Sequence, residues 1–148
     1  MKYIFDTNVI STLILEEENG LISSKLRQLS QYDEVCISVL TLYEETYGLE
    51  NANDEARENR FQNNINFIKK YFTIIPLDLK EAEIYAQLKV AYKNYTGINK
   101  KSMKKNDMDI LIASTAIAHN AILISSDRIF ELISRLDSRL WWEDWTSC

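Results

Sequence analysis

Four acidic residues of this 148-residue chain stand where a sheet protein can gather charge at one end. Asp6 directly follows the apolar run Lys2-Tyr3-Ile4-Phe5, and Asp127 lies two serines beyond Ala121-Ile122-Leu123-Ile124. Glu44 sits about two turns into one helical pattern, and Asp109 in the first turn of another. Brought together, such anions repel, and burying them unpaired is costly or forces protonation. A divalent cation removes the conflict. Oxygen-only ligation with room for water suits Mg²⁺ or Mn²⁺, and such a site can orient and ionise a water for in-line attack on a phosphodiester. Each acid also has a plain structural use: Asp6, Asp109 and Asp127 fall at predicted helix starts, where aspartate caps and complements the dipole. Glu44 neighbours Glu45 and Glu50 on a helix that can carry solvated glutamates. The set, not any one member, points to phosphoryl hydrolysis.

The remaining composition excludes the main competitors. A single histidine, His119, rules out a two-histidine nuclease, and no nucleophile elbow accompanies it for a Ser-His-Asp hydrolase. Cys36 and Cys148 with His119 are too few for a four-ligand zinc site and form no disulfide framework. Gly20, Gly48 and Gly97 are the only glycines, so there is neither a P-loop nor a dinucleotide turn. The net charge of −5 argues against nonspecific coating of nucleic acid, but not against cleavage through local basic patches. With 46% hydrophobic and 26% charged residues the chain reads as one globular domain, residues 1–148. No apolar run approaches the about 20 residues needed to cross a bilayer, and Met1 to Asp6 meets an acid too early for a secretory segment. A cytoplasmic protein with no membrane partner is expected.

The elements that must position the acids follow from periodicity. Lys2 to Phe5 reads as a strand, followed by a helix through Val9, Ile10, Leu13 and Ile14. Leu21 to Leu29 reads as a short helix, Glu34 to Ile37 as a strand, and Ser38 as the cap of a helix over Thr41 to Leu49. Phe61, Ile65, Ile68 and Phe72 mark the apolar face of a helix begun by Asn53 or Asp54, with Gln62, Asn63, Asn64 and Asn66 toward water. Thr73 to Pro76 is a third strand. Asp78 and Glu81 form a capping box for Leu79 to Tyr95, whose expected buried stripe is Ala82, Tyr85, Leu88, Tyr92 and Tyr95, with Gly97 as its stop. After the basic stretch Lys100 to Lys105, a helix apolar nearly all round starts near Asn106 or Asp107 and runs to about His119. Ala121 to Ile124 is a buried strand, Asp127 begins the last helix, and a short strand lies near Leu140 to Trp142. The alternation predicts an α/β protein, a three-layer α/β/α sandwich on a mostly parallel, five-stranded sheet. Such sheets hold ligands outside the carboxyl ends of their strands where strand order reverses. If the first and fourth strands are neighbours there, the four acids meet.

These segments carry a family likeness. Phe5-Asp6-Thr7-Asn8-Val9-Ile10-Ser11 resembles the opening signature of the PIN-domain nucleases, specifically the VapC-type toxins of toxin-antitoxin pairs. The run Ile37 to Gly48, with Glu44 three residues after Thr41, is similar to the second motif. Asp109-Ile110-Leu111-Ile112-Ala113-Ser114 is similar to the third, and Leu123-Ile124-Ser125-Ser126-Asp127 with Phe130 to the fourth. Leu140-Trp141-Trp142-Glu143-Asp144-Trp145 resembles the usual ending. Ser125 and Ser126 replace the more common threonine and asparagine, and Ser125 keeps a hydroxyl able to bond a carboxylate. The resemblance implies a PIN-like fold and Asp6, Glu44, Asp109 and Asp127 as both catalytic and metal-binding acids. It also implies a homodimer, an antitoxin that occludes the site, and single-stranded or looped RNA such as tRNA or ribosomal RNA as substrate.

The whole reading is a Mg²⁺- or Mn²⁺-dependent endoribonuclease whose products carry 5′-phosphate and 3′-hydroxyl, with RNA preference set by binding. Thr7, Asn8, Ser125 and Asp107 are the expected supports around the acids. Asp107 competes with Asp109, but the two point about 200° apart on a helix, so Asp107 suits a cap or outer position. Lys100, Lys101, Lys104, Lys105 and Arg128 are the candidate RNA contacts, against a solvated loop. Tyr43, Tyr47 and Trp141 are either base-stacking or core and dimer residues. The helices over Leu21 to Leu29 and Phe61 to Phe72 are where an antitoxin groove is sought. Two rivals stand: an aspartyl-phosphate phosphatase or receiver, which in the phosphatase case wants an acid where Asn8 stands, and a catalytically silent RNA- or partner-binding module of the same fold.

Overall fold

Alternation along short strands fixes the layers. In a computed structural model of the chain, which describes residues 1–147, the strands are β1 (Lys2–Phe5), β2 (Glu34–Ser38), β3 (Thr73–Ile75), β4 (Ile122–Ile124) and β5 (Trp141–Glu143). Cys148 lies outside the described residues. Every strand pairing is parallel, in the order β3-β2-β1-β4-β5. The first and fourth strands are therefore neighbours, with Tyr3 opposite Ile122 and Phe5 opposite Ile124. Strand order reverses between them.

The helices are α1 (Thr7–Leu15), α2 (Leu21–Arg27), α3 (Val39–Asn51), α4 (Glu55–Tyr71), α5 (Lys80–Thr96), α6 (Lys100–Met103), α7 (Asp107–Ala118) and α8 (Arg128–Leu136). Ile4, Cys36, Ile75 and Leu123 face a core built with Leu88, Tyr92, Ile112, Ala113 and Phe130 of α5, α7 and α8. Their strand neighbours Phe5, Ile37, Ile122 and Ile124 face the opposite core, with Val9, Ile10, Ile22 and Ile68 of α1, α2 and α4. One sheet sandwiched between two helical layers is the α/β/α arrangement the alternation predicted. No helix among the described residues is long and apolar enough to cross a membrane.

Three local expectations are corrected. Asn64 does not face water: it is 7% exposed and its Nδ2 donates to Glu45 Oε2 at 3.1 Å, because the equally buried Glu45 carboxylate needs a donor where α3 packs on α4. In α5, Ala82 and Tyr95 are exposed and Tyr85 is half-buried, and Glu81 joins Leu88 and Tyr92 on the buried side. The capping box explains the offset. Glu81 turns inward to accept the Asp78 N–H at 3.1 Å while Asp78 Oδ1 accepts from Lys80 N at 2.7 Å, which rotates the inward stripe. The basic stretch is not a loop. Asn99 caps it by accepting from Ser102 N at 3.0 Å, buried Met103 anchors it, and a 3₁₀ turn at Lys104–Asn106 carries it into α7. Gly97 stops α5 with φ +66°, a left-handed conformation that costs glycine little.

Candidate active site

The ladder between β1 and β4 runs one step past the strands, with Asp6 N–H donating to Ile124 C=O at 3.0 Å. The chain then turns into α1, and Asp6 caps it by accepting from Thr7 N at 2.9 Å. Asp127 caps α8 in the same way, accepting from Ile129 N at 3.1 Å. The capping role thus holds for both residues alongside any chemical one. Glu44 comes from α3 after β2, and Asp109 from the first turn of α7. Asp6 is buried, Asp109 half-buried, and Glu44 and Asp127 are exposed at the rim.

Their mutual influence is visible in their proton affinities. Burial first, then the charges of Asp6, Asp127 and Glu44, push the Asp109 carboxyl up to about 7. Burial also raises Asp6, with Asp127 adding to the rise, although hydrogen bonds from Ser125 and Thr7 pull the other way. Glu44 is raised by burial, then by Asp6 and Glu45. Four carboxylates from four segments therefore share one field at the carboxyl end of the sheet. No ion pair among the described residues engages any of them. The donor set, all oxygen and uncompensated, has the chemistry of a hard divalent cation site. Among the described residues no three acidic, histidine or cysteine side chains are already close enough to grip an ion.

Ser125 ties the centre together. It is fully buried, and its Oγ donates to Asp6 Oδ2 at 2.9 Å while accepting from Asp127 N at 3.0 Å. Asn8 Nδ2 donates to Asp6 Oδ2 at 3.3 Å and to Ser125 Oγ at 3.2 Å, and Asn8 Oδ1 accepts from Ser126 N at 3.3 Å. Sequence reasoning missed what holds Ser125. Its N–H donates to Glu143 C=O at 3.1 Å, and its carbonyl accepts from Trp142 Nε1 at 3.0 Å, so β5 pins the loop from both sides. Tyr92, read only as core, faces Asp109 and Asp127; burial and then those two charges raise its phenol. Neither role leaves a signal in spacing alone.

Other candidates fall elsewhere. Glu45 packs against α4, so Glu44 is the glutamate of this pair that Asp109 feels. Asp107 is neither a helix cap nor a support of the acids, a correction with a clear cause: Lys89 Nζ lies 2.9 Å from its Oδ1 and Tyr85 Oη donates to it at 2.9 Å. Those contacts, the Lys89 bond first, hold its carboxyl below the usual range. Thr7 contributes its backbone N–H, but its buried Oγ1 has no partner among the described residues. Lys100, Lys101, Lys104 and Lys105 are exposed. Arg128, beside Asp127, pairs with Glu131 at 3.0 Å and lies over the Trp142 ring at 5.9 Å. Tyr43, Tyr47 and Trp141 are all exposed, which removes the core reading for each.

The PIN domain family profile matches residues 3–136, nearly the full span of these elements. The chain belongs to the PIN-domain family. A ribonuclease VapC of Rickettsia bellii is 31% identical over 138 residues, covering 93% of this chain and 94% of its own, which places the chain in the VapC branch. The VapBC2 structure of Rickettsia felis, bound to a DNA fragment from its promoter, aligns with a TM-score of 0.74 at 25% identity over 97% of this chain and 98% of the other. VapBC-1 of nontypeable Haemophilus influenzae shares the fold with a TM-score of 0.75 at 22% identity, covering 99% of this chain and 100% of its own.

Proposed function

We propose that this chain is a metal-dependent endoribonuclease, the toxin of a toxin-antitoxin pair, acting in the cytoplasm on single-stranded or looped RNA such as tRNA or ribosomal RNA. Residues 1–148 act as one nuclease domain. Asp6, Glu44, Asp109 and Asp127 would hold one or two Mg²⁺ or Mn²⁺ ions, which supply charge neutralisation and a more acidic water for hydrolysis of the phosphodiester. The observation that carries the reading is the shared field of four unpaired carboxylates at the strand-order reversal, with Asp109 pushed up to about 7. Ser125, Asn8 and the Thr7 N–H hold Asp6 in one orientation and leave the rim acids to adapt.

Likeness to the VapBC2 assembly supports a cognate antitoxin, and the chain is proposed to act as a homodimer. An apolar cavity of about 270 Å³ among Leu13, Leu26, Val35, Phe67, Tyr71 and Phe72, between α1, α2 and α4, is surface such a partner can cover. Arg128 and the lysines of residues 100–105 supply the cations that bring RNA past an acidic mouth. The aspartyl-phosphate reading loses ground because Asn8, where that chemistry wants an acid, donates to Asp6 instead.

Incubating the purified protein with total RNA in Mn²⁺ or in EDTA and mapping the cut ends tests the proposal. Cuts that need the ion and leave 5′-phosphate and 3′-hydroxyl are expected. Cleavage indifferent to EDTA, or 2′,3′-cyclic phosphate ends, would overturn it. Ser125→Ala is expected to slow cleavage about 10- to 100-fold, as for other supports of metal ligands. The same change should lower stability by about 1–2 kcal/mol, because the buried Asp6 oxygen loses its donor. Chemical denaturation alongside single-turnover cleavage reads both.

A further inference from the structure

We propose that the cleft between α5 and α6 is a phosphate-binding groove that holds the RNA strand to one side of the bond being cut, with Lys93, Lys100 and Lys104 gripping its backbone. The proposal rests on the ribonuclease reading above and adds the place where the substrate backbone runs. A cavity of about 390 Å³ is lined there by Lys89, Val90, Lys93, Lys100, Met103, Lys104 and Asp107. Four lysines thus meet one carboxylate in a chain whose net charge is −5. That carboxylate is already taken, since Lys89 pairs with Asp107 at 2.9 Å and donates to Tyr85 Oη at 3.0 Å. Lys93, Lys100 and Lys104 form no ion pair among the described residues.

The arrangement is built rather than diffuse. Lys89 and Lys93 are one turn apart on α5, and Lys100 and Lys104 one turn apart across α6 and the 3₁₀ turn after it. The two rows face across the same cavity, whereas Lys101 and Lys105 are not among its lining residues. Like charges at such spacing destabilise a helix, and opposing rows repel further, so the cleft is a place where an external anion relieves repulsion. Buried Met103 closes its floor and fixes the α6 turn against the core.

Its location suits a substrate strand. Asp107, on the cavity wall, is two residues from Asp109 in α7, with its side chain turned about 200° from it. Tyr92, next to Lys93 in α5, faces Asp109 and Asp127. A strand held in the groove would therefore pass around the start of α7 to present a phosphate to the acids. A single-stranded polyanion fits better than a lone phosphate, because the lysines line a cleft along two helices and make no shared closed pocket.

The test measures binding without cutting. Full-length protein in EDTA is titrated with a fluorescent single-stranded RNA of about 20 nucleotides at several salt concentrations. The triple variant Lys93→Gln/Lys100→Gln/Lys104→Gln is expected to bind at least about 10-fold more weakly at moderate salt. The slope of log K against log salt should fall by about 2, at about 0.7 for each single-strand phosphate that a lysine no longer neutralises. Lys69→Gln/Lys70→Gln, at the far end of α4, controls for net charge. Triple-variant binding within 2-fold of the parent overturns the groove, as does a control that loses as much per charge removed. A mononucleotide that displaces the RNA at equal concentration also overturns it in favour of a free-phosphate site. In Mn²⁺ the triple variant is expected to raise KM and keep kcat within a few-fold. Loss of binding in the triple variant with no cleavage by the parent would sink the nuclease reading alone; cleavage by the parent with unchanged binding would sink the groove alone.

Discussion

Replacing Asp6 by asparagine is expected to cut the rate of metal-dependent RNA cleavage by at least about 100-fold while the protein stays folded, the scale on which preorganised electrostatic groups act. Asp6 is singled out among the four acids because it is buried and already oriented by Thr7 N–H, Asn8 and Ser125. Asparagine matches its size and, with its oxygen at the Oδ2 place, still accepts from Asn8 and Ser125 and loses only the Thr7 N–H. It loses the charge that makes the oxygen a ligand for a cation, and its Nδ2 faces a donor rather than an acceptor. The structural consequence is small because two terms oppose. One hydrogen bond of about 1 kcal/mol is lost, and a carboxyl that burial holds above its ordinary range is removed. A melting temperature within a few degrees of the parent, no growth arrest on expression, and single-turnover cleavage near background are the expected results. A folded variant that still cuts at the parental rate would remove Asp6 from the site.

The order of layers and the meeting of the acids were legible because both depend on periodicity and chain order. The consecutive apolar residues Tyr3-Ile4-Phe5 and Val35-Cys36-Ile37 turn apolar side chains to both faces of their strands, as suits a parallel sheet covered on both sides. Once β1 and β4 are neighbours, the residues just past them must lie side by side. The misreadings share a different cause. Asn64 looks polar in sequence and is drawn inside by Glu45, a partner 19 positions away. Asp107 suggests a helix cap by position and is claimed by Lys89 and Tyr85 of another helix. The clamp of Trp142 and Glu143 on Ser125 likewise exists only once β5 lies beside β4. Pairings of polar groups across elements have no period, so spacing cannot announce them. The choice of Glu44 over Glu45 shows the boundary: the motif selected it, but the physical reason, that Glu45 is consumed by α4, needs the fold.

The metal-free protein is expected to lose stability as pH rises from about 5 to 8, and Mg²⁺ or Mn²⁺ added at the upper end is expected to restore it. Asp6, Glu44 and Asp109 all have carboxyls raised in the fold. The native state therefore binds more protons than the unfolded chain, and stability must fall as pH climbs from the ordinary carboxylate range through the folded values. Their contribution is fully present below the unfolded value and is lost by the time Asp109 ionises at about 7. Carboxyls shifted the other way, such as Asp107 and Asp137, do not mask the trend. Their stabilisation is complete above the ordinary carboxylate range and is lost only in more acidic solution. The rise of Asp109 from 3.8 to about 7 corresponds to roughly 4 kcal/mol in a fully buried setting. For a half-buried group, solvent screening reduces this to about 1–2 kcal/mol. At about 2–4 °C per kcal/mol for a chain of this size, the melting temperature should drop by several degrees. A cation that binds only the native state at 100 times its Kd returns about 2.7 kcal/mol, enough to reverse the loss. Asp109→Asn should flatten the profile. Melting curves from pH 5 to 8 that show no decline, or a decline indifferent to both the cation and Asp109→Asn, would mean that the four carboxylates do not share a common field.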